Sequence, residues 1–251
     1  MSNWVWRGLR SGVRTTGYPS APETAAGVSP GFPVGATMEA GHAAALVAAC
    51  PTGALSEHAG RVEVDPRRCV HCYRCARAAG GPLPWSNDYE RADVPDGGHA
   101  TPLGPAFGRS LHIVVVDAGD CGACLHEVKQ LASPYYNLHR LGFFFTPTPR
   151  HADVLIVVGP VADQMRVALE KTYAAMPDPK RVVAVGTCAL SGGVFGPSYF
   201  SGAGAAGVVP VDVEVPGQPP PPLAILHGLL VAVGRRAPAR LAAPAEGAGA
   251  S

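Results

Sequence analysis

The feature that most limits what this 251-residue chain can become is the placing of its seven cysteines, at positions 50, 69, 72, 75, 121, 124 and 188. Residues 69–75 read Cys-Val-His-Cys-Tyr-Arg-Cys, a C-x2-C-x2-C run, and Cys50 upstream is followed by Pro51. Three closely spaced thiolates with a remote Cys-Pro make the ligand set of one [4Fe–4S] cluster. Two-residue gaps let a tight turn wrap one face of the cube while backbone N–H groups point at its sulfurs. The rival reading is a structural zinc site with four cysteines, although zinc knuckles usually pair their ligands as two C-x2-C units. Disulfides are the weaker reading, because the first thirty residues show no apolar core followed by a small-residue cleavage site.

The absences are equally informative. In bacterial ferredoxins with two clusters, the fourth cysteine of each run serves the other cluster. A full first run ending at Cys50 needs cysteines at 40, 43 and 46, where Ala40, Ala43 and Leu46 stand, and the fourth cysteine of the second run falls at Ala79. One complete set is missing and the other, Cys50, Cys69, Cys72 and Cys75, is complete. The unit therefore looks like a ferredoxin-like fold that keeps a single [4Fe–4S] cluster.

Downstream the texture changes. Leu111–Val116, Val154–Val158 and Val182–Val185 are continuous apolar runs, and Val208–Val215 is less uniform but β-rich. Such runs fit strands buried on both faces of a parallel sheet. Helix-like stretches lie between them, at Cys124–Leu131, Ala162–Ala175 and Leu223–Val233. The alternation predicts a doubly wound, flavodoxin-like α/β domain. Expected boundaries are an extended partner-binding arm over 1–35, the single-cluster unit over 36–84, a linker over 85–109, the α/β domain over 110–236 and a disordered tail over 237–251. The 31 glycines and 26 prolines suit the arm, linker and tail.

The second cysteine group belongs to the α/β domain. Asp117-Ala-Gly-Asp-Cys121-Gly-Ala-Cys124 follows the first expected strand, and Gly186-Thr-Cys188-Ala-Leu-Ser-Gly-Gly193 follows the third. Both lie at carboxyl ends of strands, where open α/β folds place their sites. Three thiolates from two loops can thus converge, with glycines letting backbone approach a bulky inorganic group. A thioredoxin-like C-x2-C, a three-cysteine zinc site and a grouping of buried free thiols are the alternatives.

Residues 111–234 resemble the small subunit of membrane-bound [NiFe] hydrogenases and the related 20 kDa subunit of complex I. The resemblance is carried by CGAC followed by Glu127, FTPTPRHADVLIVVGPVADQM, MPDPKRVVAVGTCALSGGVFGPSY and PVDVEVPGQPPPPLAILHGLL. Residues 4–75 resemble the ferredoxin-like subunit of formate hydrogenlyase, through WVWRGLRSGVRTTGYP and DPRRCVHCYRC. The chain thus looks like a fusion of two subunits that are separate in formate hydrogenlyase. One departure matters. The family pattern V-P-G-C-P-P, whose cysteine is the fourth ligand of a proximal [4Fe–4S] cluster, is here Val215-Pro-Gly-Gln218-Pro-Pro. A neutral amide is a poor iron ligand beside thiolates. The resemblance then implies at Cys121, Cys124, Cys188 and Gln218 either an altered cluster, [4Fe–4S] with a labile iron or [3Fe–4S], or an empty site; the altered cluster is the expectation. Glu127 matches an acidic residue beside the large subunit and is a candidate proton relay, or simply a carboxylate favoured by a helix N-terminus. Arg150 and His151 read as surface residues, and His71 as a shield for the cube rather than a ligand.

The resemblance implies a non-catalytic electron-transfer subunit of an oxidoreductase complex, peripheral on the inner face of the cytoplasmic membrane. Its partners would be a hydrogenase- or complex I-like large subunit, membrane-embedded subunits and a further iron–sulfur electron carrier. The competing class is a docking subunit whose C-terminal site is degenerate. With 20 Lys and Arg against 19 Asp and Glu, nothing points to nucleic acid. The apolar run Leu223–Val233, broken by His227 and Gly228, is too short to span a bilayer.

Overall fold

A computed structural model describes residues 3–78, 81–95, 103–239 and 241. Ala79, residues 96–102 of the expected linker, and residues 240 and 242–251 of the expected tail lie outside the described residues.

The chain opens with helix α1 (Asn3–Ser11), in a segment where the sequence shows no sustained periodicity. Nine residues make only about two and a half turns, too few for a repeat to declare itself. None of its residues is buried, and Trp4, Trp6 and Leu9 face outward. Residues 15–23, in contrast, are fastened to the C-terminal half. Thr16 N–H donates to the Tyr135 carbonyl at 2.9 Å, Tyr135 Oη donates to Glu23 at 2.8 Å, and Arg140 and Arg236 donate to the Tyr18 and Pro19 carbonyls.

A small unit follows. Strand β1 (Phe32–Pro33) precedes β2 (Ala36–Thr37), helix α2 (Ala40–Ala49), and the hairpin of β3 (Leu55–His58) and β4 (Arg61–Val64). The hairpin turns through Ala59 and Gly60, both at positive φ, as a tight two-residue turn requires. These strands form a sheet in the order β2-β4-β3, and α2 lays Ala43 and Leu46 on Leu55, Val62 and Leu83. Two positions where a second cluster would need cysteines are thus filled by apolar packing. Strand β5 (Trp85–Ser86) returns antiparallel to β1.

The C-terminal half is a five-stranded, all-parallel sheet of β6 (Leu111–Asp117), β7 (Phe143–Phe145), β8 (Val154–Val158), β9 (Arg181–Val185) and β10 (Val213–Val215), in the order β10-β9-β8-β6-β7. This is the flavodoxin-like order, whose switch point lies between β6 and β8. The register places Ile113, Ile156, Val183 and Val213 on one face with helices α3 (Ala123–Gln130) and α6 (Pro222–Ala232). Val114, Leu155 and Val182 face the other way, with α4 (Asp163–Ala175) and the short α5 (Thr187–Ser191). Every residue of β8 is buried, as a strand covered on both faces must be.

Helix α6 is apolar all round because it is covered all round. All eleven of its residues are buried. Tyr18 from the arm and Tyr89, Ala92 and Leu103 from the linker join its core cluster, and His227 Nδ1 accepts the Ala92 N–H at 3.1 Å. Asp93 pairs with Glu214 on edge strand β10, so this part of the linker is laid along the sheet edge. Among the described residues no helix is long and apolar enough to cross a membrane.

Candidate metal centre

The first cysteine group gathers round one pocket. Cys50, Cys69, Cys72 and Cys75 all line it, closed by Pro33, Leu46, Val64 and Trp85. Cys50 stands at the C-terminus of α2 and the other three on the loop after β4. The loop wraps tightly because His71 and Tyr73 both take positive φ, at 50° and 59°. Two non-glycine residues so placed within five positions store strain, which persists only where the surroundings impose it. They do: Tyr73 stacks on Trp85 at 4.5 Å and His71 meets the edge of Phe32 at 4.4 Å. Burial holds the His71 imidazole neutral, with its pKa lowered to about 4, and its Nε2 has no hydrogen-bond partner among the described residues. His71 is thus packed as a neutral ring against Phe32 and Trp85.

The electrostatics of the pocket call for a cation. Burial pushes the Cys69 thiol up to about 12, and Cys75, Cys50 and Cys72 push the same way. Burial also raises Cys75, with Cys72 adding to it. Backbone N–H groups supply the opposing field: Ala54 N–H donates to Cys50 Sγ at 3.2 Å and His71 N–H to Cys69. Cys69 and Cys75, which resist ionising, become thiolates when positive charge binds among the four sulfurs. Among the described residues, no three His, Cys, Asp or Glu side chains close on a point as they would round a single ion. The thiolates of a cube attach to separate irons and need no such convergence. The donor set and the pocket fit a [4Fe–4S] cluster.

The second group sits at the carboxyl ends of β6, β9 and β10. Cys121 and Cys124 follow β6, on a loop braced by its own aspartates. Asp117 Oδ1 accepts the Gly119 and Asp120 N–H groups, and Asp120 Oδ2 those of Gly122 and Leu125 at the start of α3. Cys188 lies in α5 directly after β9, and Gln218 follows β10. Glycine is obligatory at two points. A Cβ on Gly186 would stand 2.5 Å from Cys124 Sγ, and one on Gly193 would stand 2.6 Å from Cys188 Sγ. Both have positive φ, so backbone passes over two sulfurs where no side chain could.

Cys124 and Cys188 are buried and Cys121 is exposed. Burial raises the Cys124 thiol, and Asp120, Cys188 and Cys121 add to it. Burial raises Cys188 too, offset in part by Gln218, whose Nε2 donates to the sulfur at 3.4 Å. The residues fit an iron–sulfur group held by three thiolates and do not fit a cube with four. Glu127 is half-buried on α3 with its pKa raised by burial, and its charge is felt by Tyr136. Arg150 and His151 are exposed.

The cysteine numbering conceals how closely the groups abut. Thr187, next to Cys188, donates its hydroxyl to the Cys69 carbonyl at 2.9 Å. Ser191 Oγ lies 3.1 Å from the Arg67 carbonyl and equally far from the Thr187 carbonyl of its own helix, and the Arg67 guanidinium pairs with Glu214 and Asp93. Sequence reasoning does not single out Thr187, Ser191 or Arg67. The Arg67-Arg68 pair ahead of Cys69 is the sequence signal that ion pairs were available there.

Fold and site define a flavodoxin-like α/β domain with thiols at the carboxyl ends of its strands, joined to a small cysteine-rich unit. Residues 121–232 match the family described as NADH ubiquinone oxidoreductase, 20 Kd subunit. A probable membrane-bound hydrogenase subunit mbhJ of Pyrococcus furiosus is 42% identical over 127 residues, spanning 51% of this chain and 76% of that protein. Formate hydrogenlyase subunit 7 of Escherichia coli is 40% identical over 126 residues, 50% of this chain and 49% of that protein. A chain of an archaeal membrane-bound sulfane sulfur reductase is 32% identical with a TM-score of 0.47, covering 51% of this chain and 71% of that one. The chain belongs to the 20 kDa subunit family, which embraces [NiFe] hydrogenase small subunits, and its C-terminal half carries the membership.

Proposed function

We propose that this chain is an iron–sulfur electron-transfer subunit of a membrane-associated, hydrogenase-like or complex I-like oxidoreductase. The observation that carries the reading is the single pocket lined by Cys50, Cys69, Cys72 and Cys75, set against the family's own cysteine site through Thr187. An iron–sulfur group supplies a one-electron couple when bound. The chain's residues do the rest. Trp85, Leu46 and Val64 line the first pocket with apolar surface, and the N–H groups of Ala54 and His71 offset thiolate charge. Cys121, Cys124 and Cys188 hold the second group, with Gln218 at its fourth corner.

The C-terminal domain docks on a large subunit and the N-terminal unit exchanges electrons with an iron–sulfur carrier. The chain meets the inner face of the cytoplasmic membrane through membrane-embedded partners. No catalytic residue is assigned to it. Glu127, half-buried at the start of the α/β site, is a candidate proton relay. The docking-subunit reading rests on one observation: the Gln218 amide hydrogen-bonds Cys188, which suits a site without any bound group.

Iron and acid-labile sulfide per chain, after anaerobic purification, separate the two readings. About seven or eight irons support electron transfer through both sites, and about four support the docking reading. Zinc without sulfide overturns both.

A further inference from the structure

We propose that Thr187 is the residue that positions the first cysteine pocket against the second. This rests on the iron–sulfur reading above and adds to it a single side chain. Thr187 is fully buried, and its hydroxyl lies 2.9 Å from the Cys69 carbonyl and 3.2 Å from the Gly217 carbonyl. A hydroxyl has one hydrogen to give. The Cys69 carbonyl is the nearer acceptor, and Gly217 O already takes the Thr187 backbone N–H at 2.8 Å, so the hydroxyl proton is assigned to Cys69. One residue thereby touches the backbone of a first-pocket cysteine, is bonded to Cys188, and holds the peptide that precedes Gln218.

The geometry leaves little slack. Gly186 and Gly193 press backbone onto Cys124 and Cys188, so α5 cannot shift without displacing their sulfurs. On the other side, Cys69 is buried on a loop bent through two left-handed residues. The hydroxyl bridges two rigid bodies rather than decorating a loose contact. Ser191 and the Arg67–Glu214 pair hold the same interface but touch no cysteine backbone. They align the surfaces, whereas Thr187 fixes the separation of the thiols.

The test uses the full chain, purified anaerobically and fully reduced, with iron content and the EPR spin–spin splitting between the two centres as readouts. Thr187→Val keeps the side-chain shape and removes the donor. It should retain iron in both sites and lose the splitting, and Thr187→Ser should restore it. Ser191→Ala should leave the splitting in place. An unchanged splitting in T187V overturns the proposal, as does an equal loss in S191A, which would make the whole interface responsible. Should valine expel iron, serine decides: iron and splitting regained support the proposal, and equal depletion overturns it. A wild-type chain with four irons and no splitting also overturns it while leaving the docking reading standing. A wild-type chain without iron defeats the function proposed above instead.

Discussion

The two cysteine groups solve one problem by opposite means. The first is local: three of its four thiols lie within seven residues, on a loop bent through His71 and Tyr73 in the left-handed region and pinned by Phe32 and Trp85. The second is distributed over three strand ends, and backbone reaches its sulfurs only because Gly186 and Gly193 carry no side chain. A local site imposes strain on its own loop and depends on what it binds. A distributed site inherits its geometry from a sheet that stands without it. The cores agree: among the described residues two small clusters, of five and three buried residues, support the first unit, against the two large clusters flanking the parallel sheet.

The sharpest way to break that comparison is to remove one thiol from each site. Cys69→Ala should cost about four irons per chain and loosen the N-terminal unit, since small domains lean on their metals. Cys188→Ala should leave those four irons in place, and far-UV circular dichroism should still report an intact sheet. Equal depletion of the first site by both substitutions would mean that the sites do not load independently. Gly186→Ala comes next. Its Cβ would meet Cys124 Sγ at 2.5 Å from a backbone at φ +91°, so a loss of about 2–4 kcal/mol is expected in urea melts. Gly53→Ala beside the first site, at φ +60° with nothing nearer than 3.9 Å, should cost about 1 kcal/mol. Similar costs at both positions would remove the distinction between a strained loop and a crowded strand end.

Gln218→Cys sharpens the comparison without breaking either site. It supplies the fourth thiolate where the amide now donates to Cys188. Additional negative charge on the bound group should lower its reduction potential. A redox titration followed by EPR should show the second signal moving to lower potential and the first unmoved.

What the sequence discloses follows from the same contrast. Val154–Val158 is the observed β8 residue for residue, and Leu111–Val116 and Val182–Val185 fall within one residue of β6 and β9, because a strand buried on both faces writes itself as an unbroken apolar run. Val208–Val215 shrinks to Val213–Val215, since residues 208–212 form turn and bend backbone after the 3-10 segment Ala205–Gly207. Edge strand β7 is absent from the reading. Its three phenylalanines are too short a run, and an edge position leaves Phe144 exposed. The cysteine spacing marked all seven thiols, but the contact between the groups was illegible. It is made by Thr187 and Cys69, 118 residues apart, and no local pattern encodes a hydrogen bond across that distance.

The smallest expected effect concerns the segment that joins the two regions. His227 accepts the Ala92 N–H through Nδ1, and its Nε2 lies 3.1 Å from the Ala237 carbonyl, which requires the neutral Nε2–H tautomer. Burial lowers its pKa, with Glu90 and the Ala237 carbonyl opposing. The folded chain therefore binds fewer protons at this site than the unfolded chain, whose histidine titrates near about 6.5. Its contribution is in place above that pH and is lost as pH falls through the lower folded value. Protonation would turn Nδ1 from acceptor to donor and face it against the Ala92 N–H. Unfolding free energies from urea melts at pH 7 and pH 5 should differ by on the order of 1 kcal/mol more in the wild type than in His227→Gln, whose amide keeps both contacts without titrating. The same pH slope in both proteins would show that linker and α/β domain are held together without this histidine. The two regions would then be joined by the Asp93–Glu214 backbone pairing, the Arg67 ion pairs and the Thr187 hydroxyl.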